Sequence, residues 1–320
     1  MASKKNGCLE MANEPRDHHY VPQFFLRNFS IDKSGKKILT VAKNGDFAVW
    51  AERSIESIGF ERDFYVHMDD GNLVSIENHI NRGVENPISK SSTWRKILEN
   101  KTDMLNEGDK PILYALIRHL EARTPHYLDT GRQLADLAAK KGSEIPFTAE
   151  ERAMYATLRS DPDLMKKSFN MMSSSLRWAK QTYDESSIIV LRSKIALRTS
   201  TAPAMPMKFT GYRSTANLLP GMMPYQLVLT LNPHTIACLL FEKMDNGFMN
   251  MEMDDMTAKE INRYFASQFS YFDQIRHLIS DRSDLIADMT WAPFEMIKDS
   301  GQKIVFRRKA KSDRWHDLKL

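Results

Sequence analysis

The chain has 320 residues, 42% of them hydrophobic and 10% aromatic, which supplies one large core or two modest ones. Its net charge of +4 is uneven: seven Lys or Arg against two Asp lie between Lys303 and Leu320, a local +5, so the rest is close to neutral. The charged opening Met1 to Gly7 has no apolar secretory core, no apolar run approaches membrane-spanning length, and Cys8 and Cys238 alone support neither a disulfide framework nor a cysteine zinc site; the reading is a cytoplasmic protein that does not engage a membrane.

Residues 1–17 are polar and read as a disordered leader. The run from His18 to Phe29 then mixes imidazoles, an amide, a guanidinium and four aromatic rings within twelve residues, which marks a site rather than one face of ordinary core. Adjacent residues of an extended chain face opposite ways, so one imidazole enters the site, and His19, beside the aromatic run, is the expected one. Ile38 to Val41 and Phe47 to Trp50 flank Asn44-Gly45, a hairpin signal, and Asp69-Asp70-Gly71 marks a second turn after Phe64-Tyr65-Val66. Ile76, Ile80 and Val84 form the stripe of a helix that carries Glu77, Asn81 and Glu85 in a row along one flank, and Pro87 kinks or ends it.

The middle of the chain is helical. Asp109 is placed to cap a helix that Pro111 starts, with Ile112, Leu113, Leu116, Ile117 and Leu120 on one stripe up to the stop at Arg123-Thr124-Pro125. His119 and Arg123 fall near its buried face, where a guanidinium requires a carboxylate, a carbonyl cluster or an anionic ligand. Thr148 with Glu151 forms a capping box, and Ser160 or Asp161 before Pro162 opens another helix. The last third returns to strand at Ile188 to Leu191, Tyr225 to Leu231 and Thr235 to Phe241, with four prolines in the connection from Thr201 to Pro224. Thr257 and Glu260 form a further capping box. The expected fold is α+β, a helical middle flanked by antiparallel β-hairpins and a C-terminal antiparallel sheet, with residues 18–300 as one compact unit, a seam allowed near residue 185, and 301–320 as a basic tail. In that tail Arg307, Arg308, Lys309, Lys311 and Arg314 with Trp315 suit a nucleic-acid strand, or a solvated terminus.

No phosphate-cradling Gly loop, Gly-x-Ser-x-Gly elbow, His-Glu-x-x-His helix or dinucleotide fingerprint occurs. The stretch from His19 to Phe29 resembles the His-Tyr-x-Pro-x-x-x-Leu-Arg-x-Phe opening of a mostly bacterial family known only as a domain of unknown function. The resemblance extends to Phe64-Tyr65 followed by Glu77 and Glu85, to Arg123-Thr124-Pro125, and to a late helix around Asn262. It implies that Tyr20, Pro22, Phe29, Thr124 and Pro125 are structural motif positions, and it brings no activity. Similar proteins carry Thr-Ser-Asp-x-Pro where this chain has Thr199-Ser200-Thr201-Ala202-Pro203, so Thr201 replaces an expected Asp; a hydroxyl there can still cap a turn.

Two functions suit these residues. One is a metal-assisted phosphodiesterase or nuclease-like hydrolase, with His19, Glu77, Glu85 and His119 catalytic, His19 and Glu77 holding Mg²⁺ or Mn²⁺, and Gln23, Arg27 and Arg123 binding phosphate or substrate. The other is a non-catalytic module for nucleic acid or a protein partner, with the signature as a structural clamp. An open pocket with convergent polar groups favours the first, and mutual burial in pairs favours the second.

Overall fold

A computed structural model describes residues 16–140, 146–207 and 226–309. The chain enters as β1 (Asp17–His19) and turns into α1 (Gln23–Leu26). It continues as the hairpin β2 (Lys37–Asn44) and β3 (Phe47–Ser54). Asn44 faces Phe47 across the two-residue turn, where Gly45 adopts φ +59°, a conformation that costs a side chain more than it costs glycine. β4 (Phe60–Arg62) pairs with β1, and β5 (Val66–Asp69) and β6 (Asn72–Ser75) form the second hairpin.

The acidic helix is broken in an informative way. α2 (Glu77–Ile80) runs into a π turn at Asn81–Glu85 and then into α3 (Asn86–Ser89). Pro87 therefore neither ends nor kinks the segment at its own position; it sits in the first turn of α3, after a wide turn that makes room for its ring. α4 (Ser92–Leu98), α5 (Lys110–Ala122), α6 (Pro125–Ala139), α7 (Ala149–Ser160) and α8 (Pro162–Ser174) follow. Thr148 and Glu151 form a reciprocal capping box on α7, and Asp161 caps α8. Asp109 does not cap α5. Its carboxylate instead accepts from the Asn106 amide (2.9 Å), the Thr93 hydroxyl (2.8 Å) and the Lys96 ammonium (2.7 Å), tying the loop before α5 to α4.

The remaining elements are β7 (Ser187–Arg192), β8 (Thr199–Ser200), β9 (Ala204–Met207), β10 (Gln226–Asn232), β11 (Thr235–Leu240), β12 (Phe248–Glu252), α9 (Asp255–Tyr271), β13 (His277–Ile279), α10 (Leu285–Trp291), β14 (Phe294–Asp299) and β15 (Ile304–Arg308). α9 begins earlier than the Thr257 box predicts: Asp254 is the cap, accepting from the Thr257 amide at 2.8 Å and the Thr257 hydroxyl at 2.7 Å. The expected basic tail also starts later, because Ile304–Arg308 is a strand inside a sheet. Lys311, Arg314 and Trp315 lie outside the described residues, as do most of the leader and residues 208–225 of the proline-rich connection.

Two main sheets organise the α+β fold. One has the order β14-β15-β3-β2-β13-β8 and is antiparallel throughout. The other has the order β12-β7-β11-β10-β9 and is antiparallel except where β12 runs parallel to β7. One core gathers Ile38, Ile188, Val190, Leu227, Leu229 and Leu239 with the signature aromatics and α5. The other gathers Val41, Trp50, Ile189, Leu191, Val228 and Ile236 with Phe265 and Phe269 of α9. Each sheet thus has one face in each core, which explains why β7 reads Ile-Ile-Val-Leu without alternation. Among the described residues no helix is long and apolar enough to cross a membrane.

Candidate functional site

The Arg-Thr-Pro sequence builds the centre of the site. Pro125 forces Thr124 into extended backbone and starts α6, while the Thr124 hydroxyl caps that helix by accepting from the Tyr127 amide at 3.2 Å. α5 therefore stops at Ala122, and Arg123 projects inward one turn beyond His119. Arg123 is 0% exposed. Its Nε donates to the Tyr65 hydroxyl at 2.8 Å, its Nη1 to Glu85 Oε1 and, at 2.6 Å, to His119 Nε2, and its Nη2 to the backbone carbonyl of His19. Four chain segments distant in sequence meet on one guanidinium.

The electrostatics follow from that burial. A guanidinium only donates, so His119 Nε2 accepts, the ring is neutral, and its proton sits on Nδ1, which meets no partner among the described residues. Burial and Arg123 together push the His119 pKa down to about 4. Burial alone would raise Glu85, but Arg123 and His119 outweigh it and hold the carboxylate at about 2. Glu77, half-buried on α2, adds to the negative field that raises Arg123 and Tyr65. The π turn is what aims Glu85 at Arg123, since a regular helix would keep it in line with Glu77 and Asn81.

The two signature histidines have roles opposite to those expected. His18 is the buried ring; its Nδ1 accepts from the Tyr65 amide at 2.9 Å and it stacks on Tyr65 with centroids 5.8 Å apart. His19 gives its carbonyl to Arg123, whereas its half-exposed ring lies 3.3 Å from the Gln23 amide and 3.3 Å from the Glu56 carbonyl. Arg27 is exposed and donates to Gln23 at 3.4 Å, so His19, Gln23 and Arg27 form a polar row on the surface, apart from the Arg123 cluster. The opposite side of the signature is core: Tyr20 packs on Phe64 (5.3 Å), Phe29 on Phe25 (5.5 Å), and the Pro22 carbonyl accepts the Phe25 and Leu26 amides of α1.

Among the described residues no group of three or more His, Cys, Asp or Glu side chains is placed to hold a metal ion. The positively charged Arg123 Nη1 already lies between Glu85 and His119, where a second cation would be repelled. His119 is engaged as an acceptor for Arg123.

The family described as "Protein of unknown function (DUF4238)" matches residues 17–277. The chain belongs to this family. No curated protein and no solved structure matches it. The DUF4238 span takes in the whole Arg123 cluster and ends before α10 and the last two strands. Within it, the Thr201 hydroxyl oxygen ties two distant segments together by accepting from the amides of Arg276 (3.0 Å) and His277 (3.1 Å), while the neighbouring Ser200 hydroxyl closes the local turn by bonding both ends of Ala202. A second buried arginine, which sequence reasoning did not single out, sits beside it. Arg198, 1% exposed, donates to Asp288, to the Ser280 hydroxyl at 2.7 Å and to the Ser283 carbonyl at 2.8 Å, while Asn262 of α9 accepts its amide at 2.8 Å. Asn262 was visible in the sequence, but nothing in local spacing pairs Arg198 with Asp288, ninety residues away.

Proposed function

We propose that this DUF4238 chain is a non-catalytic module that binds single-stranded nucleic acid, with the signature acting as a structural clamp beneath the binding surface. The observation that carries the reading is Arg123. With no exposed surface and all three of its nitrogens engaged by Tyr65, Glu85, His119 and the His19 carbonyl, it has no position from which to reach a substrate phosphate. A hydrolase would need those groups around an open pocket. The surface row of His19, Gln23 and Arg27 offers a neutral ring, an amide and a cation to solvent, donors that suit an anionic strand, and the basic C-terminal residues add charge.

Fluorescence anisotropy with a labelled 20-nucleotide single strand, in RNA and DNA versions and across a salt series, tests this. Expected are binding that weakens with salt, a loss of roughly threefold to tenfold for Arg27→Gln, and an intact strand after incubation with Mg²⁺ or Mn²⁺. Hydrolysis that chelator abolishes would restore the nuclease reading, and absence of binding to both strands would remove nucleic acid as the partner.

A further inference from the structure

The two edges of the six-stranded sheet are finished differently. β8 at one edge is buried, with Thr199 and Ser200 both 0% exposed, whereas β14 at the other edge pairs with β15 alone among the described residues and keeps one side of its backbone open. Native edge strands are ordinarily guarded by charge, by brevity or by a covering element. The centre of β14 is apolar and uncovered instead: Met296 is 41% and Ile297 46% exposed.

The strand is also its own complement in charge. Set antiparallel to a copy of itself, Glu295-Met296-Ile297-Lys298 places an acid against a base at both ends and two apolar residues against each other in the middle. In a regular strand residues three apart face opposite sides, which would defeat that match. A bulge corrects it: Glu295 is opposite Arg307, Met296 opposite Phe306 and Lys298 opposite Val305, with Ile297 as the extra residue. Arg307 and Val305 are two apart on β15, so Glu295 and Lys298 share their face. Both have bonding capacity left. Arg307 Nε and Nη2 donate to Glu295 Oε1 at 2.8 Å and 2.5 Å, which leaves Oε2 without a partner among the described residues, and Lys298 meets no carboxylate or carbonyl there.

We propose that β14 docks a second copy of this chain, edge to edge and antiparallel about a two-fold axis between Met296 and Ile297, so that Glu295 of each copy meets Lys298 of the other. The open backbone groups give such an edge its affinity, and the charge match fixes its register. An isologous contact uses β14 from both copies at once, and with β8 buried the sheet has no second open edge, so the assembly closes at two. The surface lies beyond residue 277, where the DUF4238 match ends, and shares no residue with the His19 row, so it stands independently of the nucleic-acid reading.

Sedimentation equilibrium of the full chain from about 1 to about 200 µM tests the assignment. Expected is a reversible equilibrium in which the mass rises from 36.9 kDa toward twice that value. Lys298→Glu and Glu295→Lys should each weaken association roughly tenfold or more, because each sets like charges against each other across the axis. Mixed in equal amounts, the two variants should associate again, since the acidic rim of one then meets the basic rim of the other. Lys298 has no partner within its own chain, so Lys298→Glu folds, and it keeps the test decisive if Glu295→Lys, which loses the Arg307 pair, does not. A monomer at every concentration, a dimer that Lys298→Glu leaves unchanged, folded variants that associate no better mixed than alone, or growth past two copies would each overturn the proposal.

Discussion

Arg123 and Glu121 leave the same end of α5, but one is paired from four sides and the other is not. Replacing Arg123 with Met removes the charge and keeps the bulk, leaving Glu85 in a mostly buried position without its cation. The expected cost is about 3–5 kcal/mol in urea melts, because the remaining carboxylate must be desolvated alone. A loss under about 1 kcal/mol would mean that Arg123 is not a clamp. Glu121 faces Arg118 at 2.9 Å, and Arg118 in turn lies between the rings of Trp178 (4.4 Å) and Phe241 (5.0 Å). Burial, only partly opposed by Arg118, raises Glu121 to about 7.

His119 and Glu121 therefore act on stability with opposite signs. The folded pKa of His119 is depressed, so its contribution is complete above about 6.5 and is lost as pH falls toward 4. That of Glu121 is raised, so its contribution is complete below about 4.5 and is lost as pH rises through 7. Between pH 4.5 and 6.5 the two slopes oppose each other. Relative to the parent chain, Glu121→Gln should make stability rise more steeply with pH across that window and His119→Gln less steeply; identical pH profiles for the two variants would show that neither group titrates as its burial requires.

At the scale of elements, β15 changes how the basic terminus is to be tested. Arg307 is paired with Glu295 at 2.5 Å, Arg308 donates to the Ser270 carbonyl at 3.0 Å, and Lys309 Nζ to the Thr290 carbonyl at 3.2 Å, so part of the terminal charge is structural. Deleting 303–320 removes a strand between β3 and β14 and exposes Ile304 and Phe306 positions of the core. Deleting only 310–320 should leave the thermal midpoint within a few degrees of the full chain while flattening the salt dependence of strand binding. If the short deletion melts as the long one does, the terminal residues belong to the folded body; if the salt slope is unchanged, they do not touch the strand.

At the scale of the whole molecule, the chain's two halves share a sheet. β2 and β3 from the N-terminal part lie directly beside β13 and β15 from the C-terminal part, so a seam near residue 185 would cut through the six-stranded sheet. Arg123 braces the core that holds the signature, and Arg198 with Asp288 braces the side that holds α9 and α10. One cooperative unit should melt in a single transition that both Arg123→Met and Arg198→Met lower, with additive losses in the double variant because the two sites share no partner. Two transitions, with each variant moving only one, would show independent units.

Features under local physical control are legible in the chain without its fold. Asn44-Gly45 and Asp70-Gly71 set hairpins because their backbone conformations are favoured by those residues, Thr148 and Asp161 set helix starts through their own side-chain bonds, and Arg123-Thr124-Pro125 set a helix end because Pro excludes helical backbone before it. Even the need for a partner at Arg123 was legible, since a charge on an apolar stripe cannot stand alone. Which partner, and whether the histidine ring or its carbonyl would meet it, was not. Those outcomes depended on a π turn that rotates Glu85 and on a β1–β4 pairing that buries His18 and turns His19 outward. Pairing between distant segments is decided by complementary packing of whole surfaces, which leaves no periodic trace in the chain.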